Sequence, residues 1–119
     1  MNSMNYAADQ QVSSVTPVER RTYPRFTVQV QIELHEDGKD LPIRTETSDL
    51  SRGGCYVQLN LTLSLGTYIN GRLWLNDELV VFRGRVVTCH PQFGNGIMFL
   101  HLDGNGDQVL AQYLQAVTA

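Results

Sequence analysis

Apolar and polar residues alternate from Phe26 to Leu34, and this period of two is typical of a strand with one buried face. The segment Glu36-Asp37-Gly38-Lys39 comes next, and it predicts a hairpin turn because Asp-Gly tolerates positive φ. We therefore expect a first strand over residues 26–34 and a return strand over residues 41–48.

Further strands are predicted along the rest of the chain, separated by short breaks. Asn76-Asp77 is a second tight turn, and the segment 91–95 interrupts the chain before the last strand. The additional strands are predicted at residues 55–61, 67–75, 78–88 and 96–102. Six or seven short strands at this spacing predict a closed or nearly closed antiparallel barrel, which also removes exposed sheet edges.

The end of the chain has the period of an amphipathic helix. Its apolar residues share one helical face: Val109, Leu110, Tyr113, Leu114 and Val117. We predict a helix over about residues 105–117 that packs on the barrel, with Asn105 or Asp107 capping its start. The predicted fold class is all-β with a C-terminal helix, built on a six- to seven-stranded antiparallel barrel.

Composition divides the chain into a tail and one domain. Residues 1–18 are mostly small and polar, which does not repay the entropy of ordering a backbone, so they are predicted to form a flexible N-terminal tail. Residues 19–119 are predicted to form a single domain, since 119 residues with 42% hydrophobic content can bury one core. No apolar run is long enough to cross a bilayer and no secretory signal precedes the domain, so we expect a cytoplasmic protein without membrane insertion.

The two cysteines are not arranged as metal ligands. Cys55 and Cys89 form no Cys-x-x-Cys pair and have no histidines at zinc spacing. We expect both to be reduced thiols buried as small apolar residues, with no metal site and no cofactor.

Three arginines lie close together just before the first predicted strand, in Arg20-Arg21-Thr22-Tyr23-Pro24-Arg25. A guanidinium group donates paired hydrogen bonds to a phosphate and also stacks on a base. The chain has a net charge of −3, so any attraction for phosphate must be local to this cluster. The cluster therefore predicts an anion site.

A second candidate motif, Asp49-Leu50-Ser51-Arg52-Gly53-Gly54, lies between the second and third predicted strands. The Asp49 carboxylate suits the N1–H and amine edge of guanine, Ser51 can donate or accept, and the paired glycines let the backbone turn sharply and approach a ligand. The same segment is otherwise an ordinary β-turn whose side chains bond their own backbone. Together with the arginines it predicts a site for a purine nucleotide phosphodiester.

These two motifs, in this order, resemble those of PilZ domains. Residues 21–25 match the family's Arg-x-x-x-Arg element, residues 49–54 match Asp/Asn-x-Ser-x-x-Gly, and Gly96-Ile97-Met98-Phe99 is similar to the family's late glycine-apolar-phenylalanine strand. The resemblance covers nearly all of the chain after Val18. It implies a six-stranded barrel that binds the bacterial second messenger cyclic di-GMP and relays the signal to motility, exopolysaccharide or virulence machinery through an unidentified protein effector.

The resemblance also implies which residues bind the ligand. Arg21 and Arg25 match the arginines that clamp phosphates and contact guanine, and Arg20 matches the arginine that often precedes them. Asp49 and Ser51 match the positions that contact guanine or the sugar-phosphate, and Gly54 matches the glycine of the turn. As a mechanism we expect the N-terminal tail to order over the bound ligand, which would change the surface offered to the effector.

Other classes of function are less well supported by the residues. No nucleophile elbow surrounds Ser51 and Asp49 is the only carboxylate in either motif, so we expect binding rather than catalysis. A single-stranded nucleic-acid-binding barrel is an alternative, but the acidic net charge and the lack of a basic-aromatic stripe disfavour it. A nucleotide-independent adaptor that works through protein contacts is the remaining alternative.

Overall fold

The computed structural model describes residues 23–60 and 63–118. Its elements are β1 (Gln31–Glu36), β2 (Ile43–Leu50), β3 (Gly54–Val57), β4 (Tyr68–Leu75), β5 (Glu78–His90), β6 (Gly94–Leu102) and α1 (Gly106–Thr118). The strands are antiparallel and close into a barrel in the order β1-β2-β3-β6-β5-β4, with β4 paired to β1. The predicted class, an antiparallel barrel followed by a helix, is confirmed with six strands in the described residues. The predicted tail, residues 1–18, lies outside the described residues.

One core fills the barrel and extends under the helix. Alternate strand residues point inward, and α1 contributes Val109, Leu110 and Leu114 to the same core. The helix packs against β5 and β4. Its first backbone bond runs from Val109 N–H to Asn105 C=O, so Asn105 occupies the N-cap position. In the described part of the chain no helix is long and apolar enough to span a membrane.

The first strand begins later than the alternation predicts, at Gln31 rather than Phe26. Val28 and Val30 still turn inward, and Thr47 holds their backbone with both its main chain and its side chain. Thr47 N–H donates a hydrogen bond to Val30 C=O at 3.0 Å, and the buried Thr47 hydroxyl makes the other contacts. Thr47 Oγ1 accepts a hydrogen bond from Val30 N–H at 3.1 Å and donates one to Val28 C=O at 2.8 Å. The alternation therefore predicts burial correctly and the strand boundary wrongly.

Strand β2 is longer at its end than predicted, and this changes where the second motif lies. Leu50 forms backbone pairs on both of its edges, with Cys55 of β3 and with Phe26, so β2 continues through Leu50. Asp49 is thus a strand residue, not a loop residue. Strand β3 ends at Val57, before the predicted end at residue 61.

The hairpin between β5 and β6 is tighter than predicted. Cys89 pairs with Asn95 and His90 with Gly94, so the turn occupies only residues 91–93. Gly94 does not break the strand: a Cβ there would overlap the carbonyl oxygen of Val57, so glycine is needed for close packing. Cys55 is buried as expected, but Cys89 is only half-buried, because it lies in this hairpin rather than in the core.

Candidate functional site

The two sequence motifs meet at the end of β2. Phe26 and Leu50 exchange two backbone hydrogen bonds, each 2.9 Å long, in an isolated antiparallel bridge. In an antiparallel pair the flanking residues also face each other, so Arg25 lies beside Ser51. The bridge therefore brings the described part of the arginine motif against the second motif.

Tyr23 makes a second contact between the motifs. Its ring lies over Gly53, where a Cβ would come within 3.0 Å of Tyr23 Cδ2. The Arg52 guanidinium lies 5.6 Å from the centre of the same ring, within the range of a cation–π interaction. Tyr23 is thus held between the backbone and a side chain of the second motif.

The second motif forms a tight hairpin organised by the Ser51 hydroxyl. Ser51 Oγ accepts hydrogen bonds from the N–H groups of Gly53 and Gly54, each at 3.1 Å, and donates one to Gly54 C=O at 3.3 Å. The residue is 6% exposed. The hydroxyl therefore bonds the backbone of its own turn, as expected if this segment is an ordinary β-turn.

Gly54 is required by the barrel wall. A Cβ at this position would overlap the carbonyl oxygen of Ile97 on β6, and neither Gly53 nor Gly54 has positive φ. The sequence prediction that the paired glycines permit a sharp turn is wrong about the cause, since the constraint at Gly54 is close packing of β3 on β6. The Gly53 carbonyl is tied to β6 as well, by a 2.9 Å hydrogen bond from Phe99 N–H.

A cavity of about 90 Å³ opens beside this hairpin on the outer face of the barrel. Four of the six predicted ligand-binding residues line it: Arg25, Asp49, Ser51 and Gly54. The other two, Arg20 and Arg21, lie outside the described residues. The cavity is thus formed where the described parts of the two motifs meet.

The cavity continues across four strands along one row of the sheet. Asp49 lies opposite Tyr56, Tyr56 opposite Gly96, and Gly96 opposite Thr88. His90, two residues beyond Thr88, also lines the cavity. Four of these residues were not predicted from the sequence to belong to the site: Tyr56, Thr88, His90 and Gly96. The alternating pattern of the strands indicates that the side chains of Tyr56, Thr88 and His90 point outward. It does not show that they lie together, because that depends on the pairing of β3 with β6 and of β6 with β5.

Within the part of the chain that the structure describes, the charges at the site are not neutralised by neighbouring side chains. Among residues 23–60 and 63–118, Arg25, Arg52 and Asp49 form no ion pair. Burial and, to a smaller extent, the negative charge of Asp49 raise the pKa of the Cys55 thiol far above its ordinary value. Cys55 is therefore a neutral, inert residue behind the cavity. The described residues contain no cluster of His, Cys, Asp or Glu suited to a metal ion.

Solved structures share this architecture at low sequence identity. The PilZ domain of CeSA from a cellulose-synthesizing bacterium aligns with a TM-score of 0.64 and 16% identity over 81% of this chain and 99% of that one. The Bacillus subtilis inhibitor of motility MotI/DgrA aligns with a TM-score of 0.71 and 19% sequence identity. The alignment covers 83% of this chain but only 51% of that one. The PilZ domain of YcgR from Escherichia coli, solved with c-di-GMP, aligns with a TM-score of 0.68 and 14% sequence identity. The alignment covers 83% of this chain and 92% of that one.

The comparison by sequence extends over the whole barrel and most of the helix. No curated protein matches the chain. The family model described as PilZ domain matches residues 19–116, which include both motifs and every strand of the barrel. With the barrel topology and the meeting of the two motifs at one cavity, this match shows that the chain belongs to the PilZ domain family.

Proposed function

We propose that this chain is a cytoplasmic receptor that binds cyclic di-GMP in the cavity beside the β2–β3 hairpin. The observation that carries the proposal is the Phe26–Leu50 bridge, because it brings Arg25 to Ser51 and Asp49 at one cavity. The structure of the YcgR domain with c-di-GMP supports the choice of ligand.

Each residue of the site has a distinct role in this proposal. Arg25 has no ion-pair partner among the described residues, so its positive charge is available to a phosphate or a guanine face. Asp49 likewise has none among them, and its negative charge is available to the N1–H and amine edge of guanine. Ser51 and Gly54 act indirectly, by fixing the hairpin that positions Asp49 and the backbone around it. Arg20 and Arg21 would complete the phosphate clamp from the preceding segment. The arrangement binds and orients a ligand, and we propose no chemical step.

The proposed output is a change in protein contacts when the ligand binds. Ligand would order the residues that carry the arginine motif and so alter the surface offered to an effector of motility, exopolysaccharide or virulence machinery. The likeness to an inhibitor of motility is compatible with such an output. The ordering itself concerns residues that precede Tyr23 and lie outside the described residues.

Isothermal titration calorimetry with cyclic di-GMP tests the proposal. We expect the wild type to bind and Arg21→Ala, Arg25→Ala and Asp49→Ala each to weaken binding about tenfold or more, since losing a charged hydrogen bond costs roughly 1.5–3 kcal/mol. Arg72→Ala is the matched control, because Arg72 is an exposed arginine on β4 paired with Glu33. Its affinity should equal that of the wild type.

A wild-type protein that gives no binding heat would overturn the receptor proposal. If cyclic di-GMP gives no heat and a single-stranded oligonucleotide binds tightly with a strong salt dependence, the results would favour a nucleic-acid-binding barrel. If neither titration gives heat, a nucleotide-independent adaptor becomes the leading explanation.

A further inference from the structure

Tyr56 and His90 form a hydrogen-bonded pair on the wall of the cavity. Tyr56 Oη and His90 Nδ1 are 2.9 Å apart, and the two ring centres are 5.9 Å apart at an interplanar angle of 42°. Tyr56 comes from β3 and His90 from the end of β5, so the pair reaches across β6. Neither residue belongs to the two motifs.

Gly96 of β6 lies between the two strands that carry this pair. It lies opposite both Tyr56 and Thr88, and a Cβ at Gly96 would come within 2.9 Å of the Thr88 Cβ. The Thr88 side chain therefore packs directly against the Gly96 backbone, which only glycine permits. Thr88 and His90 both belong to β5 and line the cavity on the side of β6 opposite to Tyr56.

The hydrogen bond to Tyr56 determines what His90 can offer a ligand. A phenol is a better donor than a neutral imidazole N–H, and an imidazole nitrogen is a better acceptor than a phenol oxygen. Tyr56 O–H therefore donates to His90 Nδ1, which leaves the proton of the neutral ring on Nε2. His90 Nε2 has no hydrogen-bond partner among the described residues, and the His90 side chain is exposed at the cavity.

A fixed N–H donor distinguishes guanine from adenine. Guanine presents the O6 and N7 acceptors on one edge, whereas adenine replaces O6 with an amine donor that opposes an N–H group. The Asp49 carboxylate suits the other guanine edge, so it does not supply this contact. The cavity lining holds two side chains with an N–H donor that has no partner among the described residues: Arg25, which is assigned above to a phosphate or a guanine face, and His90.

We infer that His90 is a specificity-determining residue that donates from Nε2 to guanine O6, and that Tyr56 is the positioning residue that holds the ring in this tautomer. This inference rests on the proposed function and extends it to base selection by residues outside the family motifs.

The test compares cyclic di-GMP with cyclic di-AMP as calorimetric probes of four proteins. The wild type should prefer cyclic di-GMP, and His90→Leu should reduce the ratio of the two affinities roughly three- to tenfold, as expected for one neutral hydrogen bond. His90→Gln keeps an N–H donor and should recover part of the ratio. Tyr56→Phe should reduce the ratio less than His90→Leu, because the histidine remains but its tautomer is no longer fixed.

The tautomer is measured separately from binding. Nitrogen chemical shifts of His90 in the free protein at neutral pH should report a proton on Nε2 in the wild type and a mixture of tautomers in Tyr56→Phe. A wild-type ring protonated on Nδ1 overturns the inference. So does an unchanged affinity ratio in His90→Leu while cyclic di-GMP still binds, and in that case the receptor proposal survives. A wild type that binds neither dinucleotide overturns both.

Discussion

Gly54 shows how a single residue can belong to a binding motif for a structural reason. The side chain is absent because the Ile97 carbonyl of the neighbouring strand occupies its place. The adjacent Gly53 is less constrained, since a Cβ there meets only the edge of the exposed Tyr23 ring at 3.0 Å. A larger side chain at residue 54 would thus meet backbone, whereas one at residue 53 would meet a side chain that can move.

We expect Gly54→Ala to destabilise the protein and Gly53→Ala to be tolerated. The extra methyl at residue 54 has to push β3 away from β6, at a cost of about 1–3 kcal/mol or more in the free energy of unfolding. At residue 53 the Tyr23 ring can move, and the change should stay within about 0.5 kcal/mol. Urea denaturation of the two variants measures both values. Equal stability of the two variants would contradict the role given to Ile97.

At the scale of elements, the Thr47 side chain helps to hold the segment before β1 against β2, together with backbone hydrogen bonds at Val30 and Phe26. Thr47 is 1% exposed, and its hydroxyl provides both a donor and an acceptor to the backbone of Val28 and Val30. At the far end of this segment the Phe26–Leu50 bridge fixes Arg25. Arg25, the residue proposed to bind a phosphate, is thus positioned by a few separate hydrogen bonds and not by a continuous pair of strands.

Thr47→Val tests this attachment, since valine keeps the shape and removes the hydroxyl. Val30 N–H and Val28 C=O would lose their partner in a buried environment, which costs roughly 1–3 kcal/mol in the free energy of unfolding. Hydrogen exchange at the amides of residues 26–30 should accelerate. Thr45→Val is the control, because Thr45 lies on the same strand and its hydroxyl forms no hydrogen bond with residues 26–30. If the exchange rates of residues 26–30 are the same in Thr47→Val as in the wild type, the Thr47 hydroxyl does not hold this segment.

At the scale of the whole molecule, the closed barrel brings the first hairpin turn against β5. Arg83 of β5 donates two hydrogen bonds of 2.7 Å to the Asp37 carboxylate in the β1–β2 turn. The guanidinium also lies 5.3 Å from the centre of the Tyr68 ring on the intervening strand β4. These contacts link residues far apart in the chain, so they exist only when the barrel has closed.

This ion pair predicts a stability difference that depends on pH. The hydrogen bonds from Arg83 lower the pKa of Asp37, so the pair stabilises the fold above the unfolded-state pKa and loses its effect as the pH falls through the lower, folded-state value. Asp37→Asn should therefore lower the urea midpoint at pH 7, by a small amount because the pair is exposed to solvent, and the difference should shrink below about pH 4.

Asp40→Asn serves as the control for this prediction, since Asp40 is exposed in the same hairpin and forms no ion pair with the described residues. Its midpoint should match that of the wild type at both pH values. A difference between wild type and Asp37→Asn that is the same at pH 3 and pH 7 would show that the carboxylate charge is not the cause.

The sequence predicts the barrel well because its signals are local. Alternation in strands such as β4 and the turn at Asn76, whose φ is 59°, depend only on neighbouring residues. The motif residues Arg25, Asp49, Ser51 and Gly54 are also visible in short segments. Tyr56, Thr88 and His90 are not, because their meeting depends on the register of β3, β6 and β5 and on an irregularity between Val86 and Thr88. Thr47 was missed for the same reason, since its partners are 17 and 19 residues away in the chain.

The alternation along β3 places core side chains and an outward side chain in neighbouring positions. Cys55 and Val57 belong to the core, with Cys55 also bordering the cavity, while Tyr56 between them lines the cavity and is not part of the core. Substitutions at Tyr56, Thr88 or His90 therefore leave the core intact. Natural selection can retune which ligand such a barrel accepts without first finding a new way to stabilise it.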